Sequence, residues 1–145
     1  MKRWLLVATL VLTGCNATWD PVSPSTDNEY LILAETARLA GLMGVKVTGE
    51  ITDTPYFVGQ QAALGWYSAG IAYYYRPYVA NLGEEGWPSV TDVAAHEVCH
   101  AISFQHDVKH WECMDLWATP TYPHPSSSRG STASSLSSAC LVTGN

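Results

Sequence analysis

Ser89-Val90-Thr91-Asp92-Val93-Ala94-Ala95-His96-Glu97-Val98-Cys99-His100-Ala101-Ile102-Ser103-Phe104 decides how the rest of the chain is read. Val90, Val93, Ala94, Val98, Ala101, Ile102 and Phe104 recur at the spacing that gives a helix one apolar side. Ser89, with Asp92 three residues later, can cap its first turn. The pattern predicts a helix over about 89–104. His96 and His100 are four residues apart, so their rings stack on one helix face and can aim at one metal ion. Glu97 is rotated about 100° from His96. It can reach a water beside that ion without ligating the ion itself. A carboxylate so placed takes a proton from water and later delivers it to a leaving amine.

Upstream, residues 29–43 read as a helix, with Thr26 and Glu29 as a capping box and Gly44 as the C-cap. Its apolar residues nearly surround it, which predicts deep burial. Over 45–52, Val45, Val47 and Ile51 alternate with Lys46, Thr48, Glu50 and Thr52, as in a half-buried strand. Asp53-Thr54-Pro55 marks a turn. The stretches 62–68 and 71–79 meet at Ala69-Gly70 and read as an aromatic-rich hairpin, with Pro77 at an edge or bulge near its end. Residues 80–88 read as a loop. The fold class that follows is α+β: a small twisted, mostly antiparallel sheet packed on two helices.

The chain has 145 residues, 47% hydrophobic and 14% charged, which suits one compact domain. Its net charge is −6, and Lys2 and Arg3, two of its seven basic residues, lie in the first segment. A chain this acidic has no basic surface with which to displace counterions, which excludes nucleic acid as a partner. Met1-Lys2-Arg3 followed by the apolar run Trp4–Leu12 reads as a secretory signal, too short to span a bilayer. Leu12-Thr13-Gly14-Cys15 resembles the bacterial lipobox, which implies that Cys15 is acylated and becomes the mature N-terminus. The expected location is the cell envelope, through a lipid anchor in the membrane. Asn16 after the cysteine favours the outer membrane in a Gram-negative host. Residues 16–28 read as a tether, 29–124 as the catalytic domain and 125–145 as a Ser-rich tail. Export means an oxidising compartment. Cys99, Cys113 and Cys140 then allow one bridge, in which Cys113 is expected with either Cys99 or Cys140.

Beyond His100 the sequence runs Ala101-Ile102-Ser103-Phe104-Gln105-His106-Asp107, with Met114 eight residues after His106. With the flank Val93-Ala94-Ala95, this resembles the matrixin-like metzincins, a clan of zinc metallopeptidases. The resemblance implies a minimal zincin-like fold and a Zn2+ cofactor held by His96, His100 and His106. It further implies Glu97 as the catalytic base and Met114 in a methionine turn. Two positions depart from the pattern. Ser103 stands where the clan has a glycine, and Leu116 where some members have a tyrosine. For His106 to reach the ion, the helix must end at about 103–104 with an unusual backbone conformation over 103–105. Asp107, His110 and Glu112 stay open as alternative third ligands, although His110 and His124 read first as loop histidines exposed to solvent. By the same resemblance, 62–68 is the edge strand that receives an extended protein or peptide substrate, and 116–122 walls its pocket. The chain is expected to act as a monomer.

Two functions of different class follow: a zinc endopeptidase, or a binding or masking lipoprotein with little turnover. No nucleophile elbow, phosphate-binding glycine loop or dinucleotide fingerprint is present in the sequence. Labelled palmitate should enter the wild-type protein and not Cys15→Ala. Equal labelling of the two would reject the lipid anchor.

Overall fold

Thr26 sets the start of the first helix, α1 (Asp27–Met43), by accepting a hydrogen bond from the Glu29 N–H at 3.3 Å. The Glu29 carboxylate reaches back past the cap to the Ser25 N–H at 2.7 Å, so the capping box closes one residue earlier than its usual form. Gly44 ends the helix in the left-handed region, at φ 67°. Ile32, Thr36, Leu39 and Ala40 face inward, whereas Tyr30, Leu31 and Leu42 are each more than half exposed (58%, 55% and 58%). The expectation of near-complete burial is therefore corrected. A helix lying on one layer buries one face, whatever the composition of the other.

The computed structural model describes residues 19–120 and the backbone of 139–140. The signal segment, Cys15 and His124 lie outside the described residues. The main sheet contains β1 (Pro21–Val22), β2 (Thr48–Thr52), β5 (Gly65–Ser68), β6 (Ile71–Tyr75) and β7 (Ala139–Cys140), in the order β1-β2-β6-β5-β7. Only β2 and β6 run parallel among its described pairings, so the sheet is mostly antiparallel as expected. A separate ribbon pairs β3 (Phe57–Val58) with β4 (Gln61–Ala62). The β5–β6 hairpin turns at Ala69 and Gly70, with φ of 50° and 84°. Two positive φ values suit the right-handed twist of the flanking strands.

Alternation along the strands separates two apolar groups. Ile51, Ala72 and Tyr74 belong to the main core beneath α1, and the Tyr74 hydroxyl lies 2.7 Å from Thr36 Oγ1. Trp66 and Tyr73 belong to the second group and stack with ring centroids 5.6 Å apart. Trp19, from the stretch expected to be a free tether, packs there against Tyr56, Trp66 and Tyr73 at 5.8, 5.5 and 5.4 Å. Pro21–Val22 pairs with β2. The anchoring of 19–22 follows from Trp19, whose indole is worth more buried than solvated.

Other boundaries shift. β2 begins at Thr48 rather than Val45, and Pro77 falls in the short helix α2 (Arg76–Val79), where a missing N–H is harmless in the first turn. The outer edge of β5, expected to lie open, is paired antiparallel with Ala139 and Cys140. The helix bearing the motif, α3 (Val90–Cys99), stops short of 104. A further helix, α4 (Val108–Trp117), follows it where sequence periodicity showed none. Asp92 joins the two helices: its carboxylate accepts from the Thr119 N–H at 2.7 Å and from the Thr119 hydroxyl at 3.1 Å. No helix among the described residues is long and apolar enough to cross a membrane.

Tyr74→Phe removes the buried hydroxyl, while Thr36 keeps its 2.7 Å bond to the Ile32 carbonyl. The loss should be about 1 kcal/mol, seen as a lower urea midpoint at unchanged slope. An unchanged midpoint would show that this hydrogen bond contributes nothing net.

Candidate metal centre

The site is built on α3, where residues 92–99 are all buried. Ser89 caps it by accepting from the Asp92 N–H at 3.1 Å. His96 and His100 project from one face with ring centroids 5.0 Å apart. The helix then tightens and stops: the Ala101 N–H bonds to the Val98 carbonyl at 3.0 Å, and the Ile102 and Ser103 N–H groups both bond to the Cys99 carbonyl, at 3.0 and 3.1 Å. The turn that brings His106 back is made here, about four residues before the expected point. It needs no unusual backbone conformation at Ser103, since Ala69 is the only non-glycine residue with positive φ among the described residues. A tightened last turn does what the clan's glycine would do. The serine therefore does not prevent His106 from reaching the site, and its Nε2 lies 2.9 Å from Nε2 of His96.

Ser103 also has a positive part. Its carbonyl lies 3.2 Å from His100 Nδ1. With the proton on Nδ1, that ring donates to Ser103 and turns the lone pair of Nε2 inward.

His110 is the residue that sequence reasoning misplaced. It is fully buried, not an exposed loop histidine. Its ring centroid lies 4.8, 4.3 and 4.9 Å from those of His96, His100 and His106. Asp107 explains why: it caps α4 by accepting from the His110 N–H at 3.0 Å. The signal was present. Asp107 stands at a capping position, and His110, Cys113 and Met114 follow at the spacing of one helix face. Asp107 is thus an exposed cap, Glu112 is exposed, and neither joins the cluster. Met114 is buried in the core but lies in the body of α4, not in a turn. The helix that delivers His110 carries it there.

The four histidines each offer a ring nitrogen, and these atoms all lie within 4.8 Å of one another. Burial, followed by the neighbouring His100, His110 and His106 rings, holds the His96 imidazole well below the ordinary histidine range. Burial and the His110 and His106 rings push His100 down to about 3. Burial and His106 push His110 down to about 4, against an opposing pull from the Ser103 carbonyl. Burial alone lowers His106. At neutral pH the site therefore presents four uncharged imidazoles with lone pairs. His96 Nδ1, His100 Nε2 and both ring nitrogens of His110 are buried without a well-formed hydrogen bond. Each such nitrogen costs about 1–3 kcal/mol unless something satisfies it. A cation among them would take up one nitrogen of each ring, and nitrogen donors of this softness suit a first-row transition metal. The cluster can hold a metal ion.

Glu97 stands outside that ligand group and is fully buried. Its carboxylate lies against Gly65 of β5, where an added Cβ would sit 2.9 Å from Oε1. Glycine at 65 is thus a requirement of space for the Glu97 side chain. Tyr67 of the same strand stacks toward His100 at 6.4 Å, and Trp111 stacks on His106 at 5.7 Å. The turn between His100 and His106 exposes Ile102 and Phe104.

The lowered histidine values set a pH dependence for the metal-free protein. The unfolded chain takes up protons below about pH 6.5, before the folded chain does. The histidine contribution is thus fully present above that pH and is lost as pH falls. The urea midpoint of metal-free protein should be lower at about pH 5.5 than at pH 7, and saturating zinc should raise the midpoint at both pH values without abolishing the difference. A midpoint independent of pH over this window would contradict the burial of neutral rings.

Comparisons with known protein families, with characterised proteins and with solved structures found no match for this chain.

Proposed function

We propose that this protein is a zinc-dependent peptidase of the cell envelope, with His96, His100 and His106 as metal ligands and Glu97 as general base and acid. The observation that carries it is a fully buried carboxylate that directly follows His96 on the helix turn bearing two of the four clustered, neutral imidazoles. Zinc, when bound, polarises a carbonyl and makes water more acidic. Glu97 then accepts the proton of the attacking water and passes it to the departing amine. The Ser103 carbonyl fixes the His100 tautomer, and Gly65 leaves room for the Glu97 carboxylate.

Extended protein or peptide is the substrate class. The outer edge of β5 accepts Ala139–Cys140 of the chain's own tail in antiparallel register. An edge that takes one strand is suited to taking another by strand addition. Envelope localisation is proposed from the resemblance of Leu12–Cys15 to a lipobox. A second function, a metal-holding binding or masking module with little turnover, is favoured by one observation: a fourth histidine joins the cluster, and sites with four protein ligands are closed.

Metal content and hydrolysis of an unfolded protein test the proposal. Glu97→Gln should retain zinc and lose about 10²–10⁴-fold in turnover. Turnover unchanged in that variant would reject Glu97 as the base. Stoichiometric zinc without turnover in the wild type, with its cysteines oxidised or reduced, would favour the binding module.

A further inference from the structure

We propose that His110 is a fourth metal ligand and that the Cys99–Cys113 disulfide is the clamp that keeps it there, so that the resting centre is closed to solvent. The proposal rests on the four-histidine cluster being a metal centre, and not on hydrolysis.

Three observations converge. His110 is completely buried, both its ring nitrogens lack a well-formed hydrogen bond, and its ring is nearer to His100, at 4.3 Å, than any other pair in the cluster. A buried imidazole in that state has no role in the packing that an apolar side chain would not fill better. Next, the bridge joins the two helices close to their ligands. Cys99 follows His96 by three residues and adjoins His100, while Cys113 follows His110 by three on the same face of α4. The 14-residue separation it closes contains His100, His106 and His110. Finally, the other tie between these helices, Asp92 to Thr119, is at the far end of α4 from His110. The bridge is therefore the covalent restraint nearest to the fourth ligand.

The coordination chemistry follows. Zinc sites with four protein ligands are closed, whereas catalytic sites have about three and leave one position for water. Four histidines make a closed site of this one. Opening it requires the first turns of α4 to move off α3, and the bridge opposes that movement. A dithiol reductant can release it: the Sγ–Sγ bond breaks, each cysteine sulfur gains one electron and one proton, and the dithiol becomes a disulfide. His110 is then free to leave, and solvent takes its place. Under this scheme the hydrolytic centre is latent while the bridge is intact.

Cobalt(II) in place of zinc reports the coordination directly, and azide tests for an open position. In oxidised wild-type protein the visible cobalt bands should have tetrahedral intensity and be unmoved by azide. In His110→Ala the bands should shift on adding azide, and cobalt should pass to a chelator faster. Cys99→Ser/Cys113→Ser should give the same azide response with His110 still present. Should that double variant fail to fold, phosphine-reduced wild-type protein takes its place. Azide shifting the oxidised wild-type bands as strongly as those of His110→Ala would overturn the fourth ligand. A double variant or reduced protein that stays blind to azide would overturn the clamp. Failure of the wild type to take up cobalt or zinc would overturn the metal centre and this proposal together. Turnover enters none of these readings, so absence of hydrolysis in the reduced protein would count against the peptidase alone.

Discussion

Four imidazoles packed between two helices cannot all be cations. Like charges at ring separations of 4.3–5.0 Å, away from water, would push α3 and α4 apart. They are held neutral by burial, and the helices that bury them are held together by covalent and polar ties. Cys99–Cys113 fixes the middle of α4, and Asp92 holds Thr119 just past its end. Asp107 fixes where α4 begins, and so where His110 points. Removing water from the rings is unfavourable unless something replaces its hydrogen bonds, so the arrangement is poised to bind a cation. A fold of 145 residues buries limited apolar surface.

The sheet contributes through one strand. Tyr67 of β5 stacks toward His100, and Glu97 lies against Gly65 of the same strand. The carboxylate is therefore placed by α3 against the sheet, and two of the four histidines, His106 and His110, by the turn and α4. Glu97 and His110 belong to different helices. Movement of α4 would alter coordination while leaving Glu97 in place, which is what separates a latent centre from a dismantled one.

Much of this was legible from residues alone, where local chemistry determined the outcome. Thr26 and Gly44 bounded α1 because caps act within one turn. Ala69-Gly70 placed the hairpin because a two-residue turn needs positive φ. His96, Glu97 and His100 were legible because the helix face fixes what residues four apart can share. What escaped depends on distant contacts. Trp19 looked like tether until Tyr56, Trp66 and Tyr73 gave it partners. Ser103 looked like an obstacle because a missing glycine suggests a missing turn, yet the chain turned earlier by tightening its hydrogen bonds at Cys99. His110 looked solvated because α4 has polar residues Lys109, Glu112 and Asp115 among its apolar ones, which weakens its periodicity.

The resemblance to metzincins and the geometry of this site part company at α4. A methionine turn leaves the metal with three histidines and an open side. A helix in its place puts Met114 into the core and, one turn earlier on the same face, His110 into the histidine cluster. The two consequences are inseparable, since Met114 and His110 are four residues apart on one rigid element. A helix that buries the methionine must bring the histidine in. The departure from the clan's pattern is thus a single structural change with two effects, and a covalent bond to α3 sustains both.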